Sequence, residues 1–306
     1  MAHNTLLVGP PDASWREWLK RELGDRDLVC LDPDQSDLDS LGRVVLRRQG
    51  KVKAWRFIGS LDALRAPHVV LSALIGFLGK VQGDAVMLAP AYKATPISRH
   101  LATLIAQVVQ PAQILMAEGC AAPKIGWPIG PETVTLEPGF PPVVVGAQRR
   151  AHWLKLFEQS ETHVIELDRV ALEGTRLGTG EWVDPEVLRG IGLPAAARAE
   201  TAGGHLVLVT DDDLDDALVG RAMDHFHCSR VFFVRPSDLS GLLCSFARDS
   251  GEDFGMGVVE SVDFGARRVK VHSTAVAPAP VRILRLGSLR LYGNGAEAGE
   301  LKPWQV

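Results

Sequence analysis

The sequence predicts an α/β chain: a parallel sheet flanked by helices, followed by a smaller β-rich domain. Three observations carry this. Short, continuously apolar runs such as Thr5 to Val8 and Ala85 to Leu88 are the strands of a sheet buried on both faces. They alternate with stretches of helical periodicity such as Ile97 to Val109. Beyond about residue 160 the pattern changes to short strands punctuated by Gly, Asp and Pro. The expected division is a first domain over 1–160 and a second over 161–306.

The elements follow in order. Strand Thr5 to Val8 leads into Gly9-Pro10-Pro11 and then a helix from about Asp12 to Leu23, with Asp12 as its cap. Strand Leu28 to Leu31 ends in Asp32-Pro33-Asp34-Gln35-Ser36, and a hairpin spans Arg43 to Phe57 around Gln49-Gly50. Helix Val69 to Leu78, strand Ala85 to Leu88, helix Ile97 to Val109 and strand Ile114 to Ala117 follow. From Cys120 to Val143, six prolines including Pro123, Pro131, Pro138 and Pro142 predict an irregular excursion before a helix over Ala147 to Glu158. In the second domain Val164 to Leu167, Ala171 to Thr175, Leu206 to Val209, Val231 to Val234, Gly241 to Phe246, Gly257 to Val262, Arg268 to His272 and Arg282 to Leu286 read as strands. The Gly-rich tail after Tyr292 reads as loose.

Composition narrows the function classes. With 46% hydrophobic and 23% charged residues among 306, the chain is an ordinary globular protein rather than a disordered or fibrous one. Its net charge of −4 gives no global basic field for nucleic acid. Residues 1 to 120 hold 14 basic against 12 acidic side chains, so that half is the better place to look for an anionic ligand. Four scattered cysteines without a C-x-x-C pair suggest neither a disulfide framework nor zinc, and a reducing cytoplasmic setting is expected. No secretion signal or membrane span is readable, so no membrane partner is expected.

The first turn carries the main functional signal. A phosphate loop has the form G-x-x-x-x-G-K-[ST] after a first strand, its backbone N–H groups and Lys holding phosphates and its hydroxyl ligating Mg²⁺. In Gly9-Pro10-Pro11-Asp12-Ala13-Ser14-Trp15-Arg16 the second Gly is Ser14, the Lys is Trp15 and the hydroxyl position is Arg16. Gly9, Pro10, Asp12, Ser14 and Arg16 are the candidate nucleotide-binding residues of a degenerate loop.

Several segments in the same order resemble the polynucleotide 5′-hydroxyl kinases of RNA processing. Gly9-Pro10-Pro11-Asp12 is similar to the start of that family's G-P-x-D-x-G-K-[ST] loop, and Asp32-Pro33-Asp34-Gln35-Ser36 to its D-x-D-x-G-Q-S motif without the Gly. Phe57-Ile58-Gly59-Ser60 resembles a later G-S-x-S-P segment. Leu239 to Leu243, Phe254 to Val259 and Leu286 to Leu291 resemble the terminal β-rich domain. The resemblance implies a P-loop-NTPase-like fold, with Asp32 and Asp34 as candidate catalytic residues near a 5′-hydroxyl; a capped loop after a strand is the other reading of that pair. It also implies a lid helix whose arginines, here Arg149 and Arg150, reach phosphates, unless these are merely exposed helix residues. The family's acidic residue at the end of the third strand has no counterpart in Met87 to Tyr92. Losing the Lys and both metal supports removes the electrostatics on which phosphoryl transfer depends, and Trp15 is expected to crowd the phosphate space.

The expected function is therefore binding: a degenerate kinase-like protein acting as an RNA-binding or scaffold component, its partner RNA or a processing-complex protein. No cofactor or metal is expected on this reading. The rival is an active ATP- and Mg²⁺-dependent kinase with a divergent loop, in which Arg16 replaces the Lys. Arg43, Arg47, Arg48, Lys51, Lys53 and Arg56, with Trp55 among them, form either a nucleic-acid ribbon or a solvated sheet edge. The run Asp211-Asp212-Asp213 with Asp215 and Asp216 reads as a helix cap rather than a metal site. His225-Phe226-His227-Cys228 lacks partners at zinc spacing, and no G-x-S-x-G elbow appears.

Overall fold

The computed structural model describes residues 3–121, 126–273 and 280–301. The chain forms two compact units, Met1–His152 and Trp153–Val306. Pro123 lies outside the described residues.

The first unit contains β1 (Thr5–Val8), α1 (Arg16–Glu22), β2 (Asp27–Cys30), β3 (Arg43–Arg48), β4 (Lys51–Phe57), α2 (Pro67–Leu78), β5 (Ala85–Leu88), α3 (Pro96–Val109), β6 (Gln113–Ala117) and β7 (Glu132–Val134). Helix α4 (Pro142–Phe157) contains the division between the units. The strand order is β4-β3-β2-β5-β1-β6-β7. Strands β2, β5, β1, β6 and β7 run parallel, and β3 and β4 extend the sheet as an antiparallel hairpin.

The alternation of each buried strand explains the layers. Leu6, Val8, Met87 and Ile114 face one way and pack with Leu74 and Phe77 of α2 and with Ile105 of α3. Leu7, Val86, Leu88 and Leu115 face the other way and pack with Trp15 and with Leu19 of α1. Thr95 caps α3 by accepting from the Ser98 N–H, with Pro96 in the first turn, where its missing N–H is not needed. The β3–β4 turn needs left-handed backbone at both Gln49 and Gly50, φ 50° and 74°, the twist that closes a two-residue hairpin.

Four sequence expectations change here. Helix α1 begins at Arg16, and Asp12 does not cap it: the Pro10–Pro11 turn, closed by the Ala13 N–H on the Pro10 carbonyl, holds Asp12 outside the helix. The proline-rich excursion is not wholly irregular, because β7 joins the β6 edge in the stretch between Pro131 and Pro138. Helix α4 starts at Pro142, five residues before Ala147, since proline suits a first turn as well as it breaks an interior. The tail after Tyr292 is not loose.

That tail forms β18 (Glu297–Glu300), the edge of the larger sheet of the second unit. The other strands of this sheet are β8 (Glu161–Glu166), β9 (Ala171–Glu173), β14 (Leu242–Ala247), β15 (Asp253–Asp263), β16 (Arg268–Ser273) and β17 (Ile283–Leu291). Their order is β18-β17-β14-β15-β16-β8, antiparallel throughout, with β9 parallel to β17. A smaller sheet contains β10 (Glu181–Trp182), β11 (Arg198–Ala202), β12 (His205–Val209) and β13 (Arg230–Val234). Helices α5 (Pro185–Gly190) and α6 (Asp216–Phe226) belong with it, and α7 (Pro236–Leu239) follows β13. Asp215 caps α6 by accepting from the Leu218 N–H, while Asp211 receives the Ser237 N–H and hydroxyl. Strand β10 escapes the sequence pattern because it is only two residues, Glu181–Trp182, and β11 because Arg198, Glu200 and Thr201 leave only two alanines as its apolar positions.

Candidate functional site

The C-terminal ends of β1, β2 and β5 open onto a cleft of about 470 Å³, the position where open parallel sheets place their ligands. Chain reversal forces loops to converge there, and the degenerate phosphate loop supplies one wall through Asp12, Ser14 and Arg16. Gly9 and Pro10 sit behind that wall in the turn: the Gly9 carbonyl accepts from the Tyr92 N–H at 2.7 Å, and the Pro10 carbonyl from the Ala13 N–H at 3.0 Å.

Trp15 does not crowd the cleft. Its indole is 5% exposed and lies under the sheet with Leu7, Leu19 and Leu88, edge-on to Trp18 at 6.1 Å. The side chain that replaces the phosphate-loop lysine is apolar, and burial turned it into the core rather than toward solvent. A Cβ built on Gly9 would stand 2.9 Å from the Trp15 Nε1, so the loop rests on the indole. From the other side, Pro138 bridges to Ala13, and Gly139 lies so near the Asp12 carbonyl that no Cβ fits between them. The Arg16 guanidinium stands 6.0 Å from the Phe140 ring.

Both candidate catalytic aspartates face the cleft. Asp32 is 6% exposed and accepts from the Gln35 side chain at 2.8 Å and the Asp34 N–H at 3.2 Å. Burial, with the neighbouring Asp34 and Asp62 charges adding to it, pushes its carboxyl up to about 6, against the Gln35 hydrogen bond. Asp34 receives the Arg149 Nη1 on both oxygens at 3.0 Å. Burial raises its carboxyl, and the Arg149 hydrogen bond and charge oppose the rise. Arg149 therefore meets the cleft through Asp34, whereas Arg150 is exposed on α4.

Two residues escaped the sequence reading. Asp62, two positions beyond the Gly59-Ser60 segment, accepts from the Leu64 N–H and holds the Lys93 Nζ at 2.7 Å. Lys93 stands just past β5, beside the stretch noted for its missing carboxylate. The signal was the family segment itself, followed two residues further. Five aspartates, Asp12, Asp32, Asp34, Asp37 and Asp62, line the cleft against the basic Arg16 and Lys93. Among the described residues, no three His, Cys, Asp or Glu side chains are grouped to hold a metal ion.

The basic hairpin divides. Register sets its turn, Arg48 to Lys51, beside Asp27 at the start of β2, at the end of the strands opposite the cleft. There Arg48 donates Nε and Nη2 to the buried Asp27 carboxylate at 2.8 and 2.7 Å, and this bond holds the Asp27 carboxyl below the ordinary range. Arg47 donates to the Asp37 and Gly50 carbonyls. Arg43 packs over the Trp55 ring at 5.2 Å and donates to the Asp39 carbonyl. Lys51 and Lys53 are exposed, and Arg56 is half-buried. None of the six lines the cleft.

Structural comparison places this architecture. A solved Clp1p–Pcf11p complex, described with an extended interface and the basis of ATP loss in a glycine-to-arginine mutant, matches with a TM-score of 0.54 over 94% of this chain and 75% of that one, at 11% identity. The wild-type Clp1p–Pcf11p complex matches equally, at 10% identity. The chain has the Clp1p fold. No family model matches it. By sequence it is 26% identical over 156 residues to a polyribonucleotide 5′-hydroxyl-kinase of Pyrococcus furiosus, covering 50% of this chain and 42% of that protein's length. Both findings support the resemblance to the polynucleotide kinase family. No helix among the described residues is long and apolar enough to cross a membrane.

Proposed function

We propose that this protein is a catalytically degenerate polynucleotide 5′-hydroxyl-kinase-like component of RNA processing that acts by binding. The observation that carries the reading is the fate of the phosphate-loop lysine: Trp15 in its place is buried in the core. Of the cations at the cleft, Lys93 is paired with Asp62 and Arg149 with Asp34, and Arg16 stands against five aspartates. An aspartate-rich cleft repels a triphosphate unless metal neutralises it. Among the described residues no three His, Cys, Asp or Glu side chains are grouped to hold that metal, so ATP·Mg²⁺ does not fit this residue set. The Clp1p–Pcf11p complexes support a processing-complex protein as partner, and the kinase relative supports RNA as the molecule handled.

One observation favours the second reading, an active kinase with a divergent loop: the Asp32 carboxyl, at about 6, suits a general base. Calorimetric titration of ATP with and without Mg²⁺, followed by radiolabel transfer to a 5′-hydroxyl RNA, separates the two. No heat and no label are expected. Mg²⁺-dependent binding with transferred label overturns the degenerate reading.

A further inference from the structure

A second, smaller cavity lies wholly within the second unit, far along the chain from the phosphate loop. It encloses about 270 Å³ between the two sheets of that unit, with Leu167, Val170 and Leu172 on one side and Val183 on the other. Trp182 and Phe264 flank it, ring centroids 6.1 Å apart and planes tilted by 41°. The indole is 36% exposed although it sits on a two-residue strand. Two guanidinium groups complete the lining, those of Arg198 and Arg267.

These groups are held in place. The buried Glu200 carboxylate accepts from the Gly178 and Gly180 N–H groups and so fixes the loop that reaches the cavity. Arg198 is anchored through Nη1 to the Ala197 and Ala195 carbonyls at 2.8 and 3.1 Å, with its Nη2 toward Gly265. The Arg267 guanidinium lies 5.9 Å from the Trp182 ring and pairs with Asp168 at 2.5 Å, an exposed contact of little net worth. The Arg267 backbone is left-handed, φ 53°, a conformation that costs a non-glycine residue and is kept here without a glycine.

We infer that this cavity takes one unpaired nucleotide of a single-stranded RNA. The base inserts beside Trp182 and Phe264, and the flanking phosphates lie on Arg198 and Arg267. The volume, just under the ~300–1,000 Å³ of small-molecule sites, admits a flat ring while its charged backbone stays at the rim. Aromatic faces with arginines beside them are the arrangement that grips single strands without reading their sequence. The exposed ion pair to Asp168 is exchanged for one to phosphate. The inference rests on the proposed role in RNA processing only for the choice of RNA; the cavity itself is independent of the nucleotide cleft.

The test is fluorescence anisotropy of a labelled eight-nucleotide oligoadenylate with the full chain, across a salt series. Trp182→Ala is expected to weaken binding about tenfold or more, since it removes a stacking platform, and Trp182→Phe to stay within about threefold of the unaltered chain. Arg267→Gly relieves the left-handed backbone while deleting the guanidinium, so a folding failure is not in play, and it is expected to lower the salt slope by about 0.7, one single-strand phosphate. No binding by the unaltered chain overturns the inference, and so does equal binding by Trp182→Ala and Arg267→Gly. Loss confined to the Lys51→Ala, Lys53→Ala double variant overturns it in favour of the hairpin. Displacement by polyglutamate at equal charge overturns it in favour of a nonspecific anion patch. Mg²⁺-dependent ATP binding with label transferred overturns the degenerate-kinase reading and leaves this result standing, so the two failures are distinguishable.

Discussion

Replacing Trp15 by Ala tests the central structural claim about the cleft, that the residue in the lysine position belongs to the core. The indole is 5% exposed and packs among Leu7, Leu19, Leu88 and Ala117, edge-on to Trp18. Removing a buried Trp side chain costs about 3–5 kcal/mol from lost transfer energy and the cavity left behind, a figure that already contains the ~0.5–1.5 kcal/mol of the aromatic pair. For a unit of this length each kcal/mol corresponds to about 2–4 °C, so the melting of the first unit is expected to fall by about 6–20 °C. The assay is urea and thermal unfolding followed by far-UV circular dichroism. Trp15→Lys sharpens it: an ammonium placed in that core is costly, so this variant is expected to be at least as destabilised and to gain no ATP binding in calorimetry. A loss below about 1 kcal/mol in Trp15→Ala, together with ATP binding by Trp15→Lys, refutes the reasoning, because the side chain would then have been free to swing into the cleft.

The remaining predictions concern the cleft's carboxylates and its covering segment. The Asp32 carboxyl rises from 3.8 to about 6 on folding, so the native state holds a proton between those values that the unfolded state has released. Stability is therefore expected to fall as pH rises from about 4 to 6, and Asp32→Asn to flatten that slope in denaturation at a series of pH values; an unchanged slope counts against the buried carboxyl. Arg149→Ala removes the group that opposes the upward shift of Asp34, so a carboxyl NMR titration is expected to find Asp34 higher still, with no change as the failing result. Gly139→Ala drives a methyl onto the Asp12 carbonyl and is expected to cost about 1–3 kcal/mol, whereas Gly130→Ala, with open space around it, is the near-neutral control; equal urea midpoints contradict the close approach.

Much of the fold is legible in the chain because period and burial agree there. Thr5 to Val8 and Ala85 to Leu88 are apolar at every position since the sheet is covered on both faces. The Gln49-Gly50 turn announces a hairpin by its own backbone requirement. Where the reading failed, the deciding interaction lies in a neighbouring element rather than in the segment's own pattern. Strand β7 exists because β6 presents an unpaired edge, and β18 because β17 does; neither Glu132–Val134 nor Glu297–Glu300 has an apolar pattern of its own. Asp62 and Lys93 looked like ordinary loop residues until folding brought them within 2.7 Å.

The same boundary runs through the functional residues. By itself the sequence determined the chemistry available: a loop with no lysine, a third-strand end with no carboxylate, and an Asp32–Asp34 pair, all of which are matters of identity at a position. Only the tertiary structure decided where those side chains went. It sent Trp15 under the sheet rather than into the cleft, tied Arg48 to the buried Asp27 at the strand ends away from the site, and set Arg149 on Asp34. The physical reason is that burial and charge pairing depend on neighbours chosen by packing. An arginine in a sequence is only a cation, and whether it faces a ligand or a buried aspartate is settled by which strand folds beside it.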